Sequence, residues 1–440
     1  MPPSPIPGST RIVIVGGGFG GAYTAIHLER RARRSGVALD VTLLGRDNYF
    51  LMTPLLFEAG SGVLEPRHAV NPIRPLLRAT RFVEARVTGI DLAAKVVHAQ
   101  QEGDPPGATL ALPYDHVVIA VGGVTNVGLV PGGESALTFK TLADAIFLRN
   151  HLIDLFEKAD AEPDPARRAA LLTVVVIGAG LVGVELVGEL TEFLPTLADS
   201  YPRLDARLIR LELIEAMDRI LPEMDEPLRA YADNLLKQRG VRIRTRTKVT
   251  RIEPGRVVLA DGPIPSATVV VVTGVKPSPL VEQLDLEKDK RGRIVTAGTM
   301  LAKGRTDVWA IGDCAAIPDP KSPDSRPYPQ LAQHALREAK VLAKNLARAA
   351  AGRPPVPFVY TNKGVMAALG RGRGVGKLYV VRTYGPLAWL VWRGYYLMQM
   401  PQLSRKLRIL ADWTISLIFK NDVAKLDAYE AAADKGGGKL

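Results

Sequence analysis

Two hexapeptides of the 440-residue chain, Gly16-Gly-Gly-Phe-Gly-Gly21 and Gly178-Ala-Gly-Leu-Val-Gly183, share the spacing Gly-x-Gly-x-x-Gly. Each follows an apolar run, Arg11-Ile-Val-Ile-Val15 or Thr173-Val-Val-Val-Ile177, and opens a helix-forming stretch. In that setting the first glycine permits a tight turn, the second lets backbone approach a pyrophosphate, and the third lets helix pack on strand. The helix start then offers unpaired N–H groups and a positive dipole to the phosphates. Gly16, Gly18, Phe19, Gly20 and Gly21 are thus candidates for one nucleotide, and Gly178, Gly180, Leu181, Val182 and Gly183 for another.

The second loop has an acidic partner. Glu215 ends the strand-like Arg210–Ile214, where a carboxylate accepts hydrogen bonds from a ribose 2′-OH and repels a 2′-phosphate. That favours NADH over NADPH, although Arg219 lies one turn beyond. The distance from Gly183 to Glu215 exceeds the usual ~20 residues and calls for a long helix and loop between them. The first loop lacks the acid: its second strand ends Leu43-Leu-Gly45-Arg46, with Asp47 following. Either Asp47 meets the ribose, or backbone and Arg46 hold the adenosine.

These loops require βαβ units. The first reads as strand, helix Ala22 to Arg34, and strand Ala38 to Leu44; the second repeats the order from Thr173. Further strands run Tyr114 to Ala120 into Gly122, Thr268 to Thr273 into Gly274, and Thr306 to Ile311 into Gly312-Asp313. Linkers are expected at Gly122 to Gly133, Lys276 to Pro279 and Gly352 to Pro357. The fold class is therefore α/β, with two Rossmann-like dinucleotide-binding domains.

Composition narrows the chemistry. With 47% hydrophobic and 23% charged residues, the chain is neither disordered, collagenous nor a coiled coil. A single cysteine, Cys314, excludes an internal disulfide and a CxxC redox pair, so electron chemistry must come from a bound cofactor. Cys314 itself reads as a small buried residue. No metal-ligand cluster is evident among six histidines. The net charge of +12 suits nucleic acid, an anionic membrane surface or a polyanionic ligand. Nucleic acid has only this charge in its favour and is not expected. Met1 to Thr10 lacks a secretory apolar stretch, and the most apolar run, Leu387 to Leu403, is broken by Arg393, Gln399 and Pro401.

From Ser404 to Lys420 the chain reads as an amphipathic helix. Arg405, Arg408, Asp412, Ser416 and Lys420 share one face; Leu407, Leu410, Ala411, Thr414, Leu417 and Ile418 share the other, with Trp413 at the border. Such a helix suits a bilayer interface, and equally a packed or dimeric one.

Two dinucleotide folds followed by Ile311-Gly-Asp313-Cys resemble the two-dinucleotide-binding-domain flavoprotein reductases. The resemblance implies a FAD domain at 8–128 and 286–355, with an NADH domain inserted at 129–285. A C-terminal membrane-attachment region at 356–430 and a flexible tail at 431–440 would follow. Asp313 would contact the ribityl chain. Arg46, Thr53, Val87, Ala120, Gly122, Gly312, Leu331 and Ala332 would join the first loop around FAD, and Gly274 the second around NADH.

Finer motifs resemble the type II NADH dehydrogenases, the non-pumping NADH:quinone oxidoreductases. They are Asn48-Tyr-Phe-Leu-Met-Thr-Pro-Leu-Leu56, Glu65-Pro66, Asn71-Pro-Ile-Arg74, Val184-Glu-Leu-Val-Gly-Glu-Leu190 and Ala332-Gln-His-Ala-Leu-Arg-Glu338. The implied activity is electron transfer from NADH through FAD to a membrane quinone. Gln333 would border the quinone, Glu185 would approach the nicotinamide, and Glu189 would assist charge or proton transfer, with Lys363 a further candidate. The family helix commonly carries a second glutamine near Arg337 or Glu338, where this chain is charged. Sulfide:quinone oxidoreductases, similar in fold, need redox cysteines that this chain lacks.

The implied setting is peripheral, on the cytoplasmic side of a membrane, with an anionic surface, a quinone and a second copy as partners. Two other readings stay open: a soluble NAD(P)H-dependent flavin reductase with a different acceptor, and a non-enzymatic FAD- and NADH-binding redox sensor.

Overall fold

A computed structural model describes residues 8–105, 108–322, 324 and 326–425. The tail expected at 431–440 lies outside them, as do residues 1–7. The described chain forms two compact units. One takes the chain through Phe50, Asn71–Val124 and Val275–Thr361; the other takes Leu51–Val70, Thr125–Gly274 and the chain from Asn362.

The first unit is built on a five-stranded parallel sheet, in the order Val308–Ala310, His116–Ile119, Thr10–Val15, Leu39–Gly45 and Arg81–Glu84. The apolar run Ile12–Val15 is central and buried throughout, as a parallel strand covered on both faces must be. The loop at its end feeds the helix Phe19–Ser35, which starts earlier than its apolar pattern because Gly18 takes the N-cap. This helix packs against Ala332–Ala350, which buries Leu336, Ala339, Leu342, Ala343 and Leu346 at helical spacing.

The second unit repeats the plan with four parallel strands, in the order Val241–Arg244, Arg210–Ile214, Thr173–Ile177 and Thr268–Val271. The long helix Leu181–Ala198 and the turn-rich segment after it occupy the wide interval before Glu215. The chain from Asn362 adds a three-stranded antiparallel sheet, Gly364–Ala368, Gly374–Leu378 and Val381–Tyr384, and then the helices Gly385–Gln399 and Leu403–Ile418. Among the described residues no helix is long and apolar enough to cross a membrane.

The last helix turns both apolar and polar side chains to the unit. Ile409 is wholly buried, Asp412 accepts from the Glu65 amide at 3.1 Å and lies 2.5 Å from His68 Nδ1, and Arg405 donates to the Arg67 carbonyl at 2.9 Å, while Arg408 is exposed. Leu407, Leu410, Leu417 and Ile418 face outward, at 58, 43, 54 and 74% exposure. Trp413, read from the sequence as a border residue, turns inward and is buried, because its indole N–H finds an acceptor there.

Close approach explains the third glycine of each loop. A Cβ on Gly21 would sit 1.8 Å from the Gly16 carbonyl oxygen, and one on Gly183 would sit 1.9 Å from that of Gly178. The obstacle is backbone in both cases, so neither contact can relax by a rotamer change. Gly183→Ala should therefore lower stability by about 2–3 kcal/mol through overpacking, read as a reduced midpoint in urea unfolding. A midpoint equal to the parent's would refute this account of the turn.

Candidate cofactor sites and a buried carboxylate cluster

In the first unit, four stretches far apart in sequence converge on the first glycine loop. The Ala120 carbonyl lies against Gly16, and a Cβ on Gly20 would meet Ile311 Cδ1 at 3.0 Å. Gly312 donates its N–H to Glu338 Oε2 at 2.8 Å, and Gln330 donates to the Asp313 carbonyl at 2.7 Å. Those two bonds join the Gly312-Asp313 turn to the start of the helix that carries Ala332 and Gln333. Leu331 is that helix's N-cap residue. Gly122, at φ 64°, follows the strand that ends beside the loop.

This cradle fits a dinucleotide. The helix Phe19–Ser35 has no side-chain cap and no acidic residue in its first turn, so its leading amides are open to an anion. A Cβ on Gly18 would find no described atom within 4 Å, which marks the open side of the loop. Arg46 is exposed beyond Gly45, and Val87 is half-buried in Arg86–Asp91. Thr53 falls in the second unit. Gly45 is buried, and a Cβ there would meet the Phe82 ring at 3.1 Å, so the usual acidic position is filled by an aromatic neighbour. Asp47 is exposed.

In the second unit Glu215 sits against its own glycine loop. Its Oε2 accepts from the Ala179 amide at 2.7 Å and its Oε1 from the Met217 amide at 2.8 Å. Arg219 is held by Asp218 at 2.5 Å rather than free for a 2′-phosphate. Gly180 caps its helix without a side chain, Leu181 and Val182 follow in the open first turn, and Gly274, at φ 72°, ends the neighbouring strand segment.

The same helix carries the unit's most unusual chemistry. Glu185 and Glu189, four residues apart, are both buried rather than solvated. Glu185 Oε1 accepts from the Ala368 amide and from Trp392 Nε1, each at 3.0 Å, and Glu189 Oε2 accepts from Ser61 Oγ at 3.0 Å. Burial pushes Glu185 up to about 8 against those two hydrogen bonds. Burial raises Glu189 too, with repulsion from Glu58 adding to it.

Glu58 completes the cluster. Its Oε1 accepts from Arg393 Nε at 3.0 Å and Nη2 at 2.8 Å, and its Oε2 accepts from Trp413 Nε1 at 2.6 Å. The Arg393 guanidinium lies 3.9 Å from the Trp389 ring centre and 4.6 Å from that of Trp413. Sequence reasoning found Glu185 and Glu189 but missed Glu58, Ser61, Trp392, Arg393 and Trp413 as their partners. A signal existed: Glu58 is the lone charge in Leu55-Leu-Phe-Glu-Ala59, as Arg393 is between Leu387 and Gln399. Lys363 is exposed and makes no hydrogen bond or ion pair to this cluster among the described residues.

Gln333 lies half-buried in the first turn of its helix. Next to it His334 is buried, with Nδ1 unpartnered among the described residues and its ring against Tyr328 and Tyr360. Cys314 is wholly buried, and that burial pushes its thiol up to about 12, far from a reactive thiolate.

Residues 10–339 match the pyridine nucleotide-disulphide oxidoreductase family. A type II NADH:quinone oxidoreductase of Mycobacterium tuberculosis is 32% identical over 93% of this chain and 88% of its own length. One from Staphylococcus aureus is 31% identical over 84% of this chain and 90% of its own. Among solved structures, NDH2 from Plasmodium falciparum in complex with NADH superposes with a TM-score of 0.84 at 18% identity, covering 95% of this chain and all of that one.

The raised carboxyls make stability depend on pH. The folded state holds the Glu185 proton up to about 8, while the unfolded chain releases it near 4.5, so this contribution is full below about 4.5 and is lost as pH rises through about 8. Glu185→Gln keeps the acceptor and removes the titration. Its stability relative to the parent should rise between pH 5 and pH 8, by roughly 4 kcal/mol at most, and level off above. Thermal unfolding across that range checks it, and a pH-independent difference would contradict the buried protonated state.

Proposed function

Because the chain belongs to the pyridine nucleotide-disulphide oxidoreductases and, among them, to the type II NADH:quinone oxidoreductases, we propose that it is a FAD-dependent enzyme that oxidises NADH and reduces a membrane quinone without pumping protons. One observation carries this reading furthest. The helix that begins at the second glycine loop bears two buried carboxyls, Glu185 and Glu189, that retain protons near neutrality. A redox sensor that only bound nucleotides would have no use for them.

The chemistry that FAD supplies when bound is acceptance of hydride and release of two electrons. The chain's own residues do the rest. The uncapped amides of Phe19–Gly21 and Leu181–Gly183 hold the two pyrophosphates, and Asp313 takes the ribityl hydroxyls. Glu215 accepts from the ribose of NADH and repels a 2′-phosphate. The Gln333 side-chain amide donates to a quinone carbonyl. Forming quinol takes two protons, of which hydride from NADH accounts for one. Glu185, with Oε1 already accepting two N–H groups, carries the other on Oε2. Glu189, beside Ser61 and Glu58, replenishes it.

The C-terminal helices attach the protein to the membrane. Leu387, Leu390 and Met398 on one helix, and Leu403, Leu407, Ile415 and Ile418 on the next, are exposed large apolar side chains. Exposed apolar surface of this kind marks an interaction site. Arg408 and Lys406 supply the attraction to anionic headgroups. Attachment is peripheral, on the cytoplasmic side where NADH is supplied. Pairing of two copies through this surface is the competing use.

In anaerobic stopped-flow, NADH should bleach the flavin and a short-chain quinone should restore it. Gln333→Ala should slow the quinone phase about tenfold, the worth of one hydrogen bond of this kind, and leave bleaching at the parental rate. Bleaching with no quinone phase in the parent would leave a flavin reductase with another acceptor. No bleaching would remove the electron-transfer reading.

The attachment surface has its own test. Leu407→Glu with Ile418→Glu should weaken flotation with phosphatidylglycerol vesicles by at least about tenfold while NADH still bleaches the flavin. Unchanged flotation together with a dissociated dimer would assign the surface to self-association.

A further inference from the structure

The first unit holds a cleft of 580 Å³ between the C-terminal halves of the helices Phe19–Ser35 and Ala332–Ala350. Neither the glycine loop nor Gln333, both at the opposite helix ends, lines it. One wall carries His27, Arg30, Arg31 and Arg34, whose spacings of three and four place them on one face. The other carries Lys340, Lys344 and Arg348 at spacings of four, and Arg353 follows in the loop beyond.

Seven permanent cations thus line one small cleft, and no carboxylate does. Elsewhere cations of this chain are commonly matched: Arg11 with Asp115, Arg244 with Glu212 and Asp261, Arg293 with Asp289, Lys377 and Arg382 with Asp225. None of the seven makes an ion pair among the described residues. The nearest acid on the first helix, Glu29, is committed to the backbone amides of Arg78, Ala79 and Thr80. Helix C-termini do favour basic residues through the macrodipole, but that effect fades within the last turn. Arg30 and Lys340 lie further back. Burial, joined by repulsion from Arg30 on its own wall and Lys340 on the other, brings the His27 imidazole down to about 4.

Two like-charged stripes facing each other are unfavourable without a counter-ion. We propose that this cleft binds a multivalent phosphate anion, either a free oligophosphate or the phosphates of a lipid headgroup. The five arginines present the planar forks that pair with phosphate oxygens, and the volume lies within the range of small-ligand sites. A dicarboxylate would leave most of the charge unmatched. His27 is the only aromatic ring on the walls, so recognition is of phosphate rather than of a stacked base.

The test uses the FAD-loaded full chain and two probes. The first is inorganic tripolyphosphate, followed by calorimetry and by the rise in unfolding temperature. The second is vesicles containing diphosphatidylglycerol. The variants are Arg30→Glu/Arg34→Glu/Lys344→Glu and, should charge reversal disturb folding, Arg34→Gln/Lys344→Gln. Binding of one tripolyphosphate per chain that weakens at least twentyfold in the reversed variant, and weakens steeply with added salt, supports the site with a free phosphate as its source. Weak tripolyphosphate binding with a tenfold or greater loss of vesicle affinity in the same variant supports the site with a lipid phosphate as its source. Parent and both variants binding both probes alike would overturn the proposal. The unfolding readout needs no quinone reduction, so its failure is distinct from failure of the enzyme assignment.

Discussion

The Glu58–Arg393 pair is the constraint on which the second unit's chemistry rests. Both side chains are almost wholly removed from water, at 2 and 8% exposure, and such a pair survives only when the remaining hydrogen-bonding capacity is also met. Trp413 meets it on the carboxylate side, and the rings of Trp389 and Trp413 flank the guanidinium. Satisfying Glu58 therefore recruits both C-terminal helices and fixes their rotation. Once Arg393 and Trp413 point inward, Leu407, Leu410 and Ile418 have only the outside left to them. The outward apolar surface is thus a consequence of a buried charge as much as of helical periodicity. The pair also sets the electrostatics of its neighbours, because Glu58 is one of the charges that hold Glu189 in its protonated form.

The two glycine loops solve one problem twice and differ at one position. In each, a parallel strand delivers its chain into a helix with no side-chain cap, leaving amides for a pyrophosphate. In the second unit the next strand ends in Glu215, which is already oriented by the Ala179 and Met217 amides before any ribose arrives. In the first, the corresponding residue is Gly45, and Phe82 takes the space beside it. Under the proposed function, the first site would hold its adenosine by backbone with Arg46, or by Asp47, and the second would discriminate against a 2′-phosphate through Glu215.

What was legible in the sequence was what is local. Gly16–Gly21, Gly178–Gly183 and the strands that precede them follow from short-range spacing, and Glu215 from its place at the end of a strand-like run, beyond the usual interval. The C-terminal helix was readable from periodicity, whereas the helix that carries Gln333 was expected only through the family resemblance of Ala332 to Glu338. The sequence did not reveal which side of the last helix would face the protein. Its orientation depends on Asp412 meeting Glu65 and His68, and on Trp413 meeting Glu58, 355 residues away in the chain. Glu58 and Arg393 are separated by 335 residues, and no local rule pairs them. A charge alone in an apolar run signals a buried partner somewhere, and that signal gives no address.

The charged pair Arg337-Glu338 finds a physical account in the first unit. Arg337 extends over the Tyr360 ring, 5.8 Å from its centre, and so belongs to an aromatic cluster with His334 and Tyr328. Glu338 is the residue buried beside the Gly312-Asp313 turn, accepting the Gly312 N–H. Burial pushes it up to about 7, with that hydrogen bond opposing the shift and Asp313 adding to it. A carboxyl that keeps its proton near neutrality has one O–H to donate while still accepting the Gly312 N–H. Below about pH 7 Glu338 is thus held neutral beside Asp313. Above it, a second negative charge develops beside Asp313, so the turn that bears Asp313 has a pH response built into its burial.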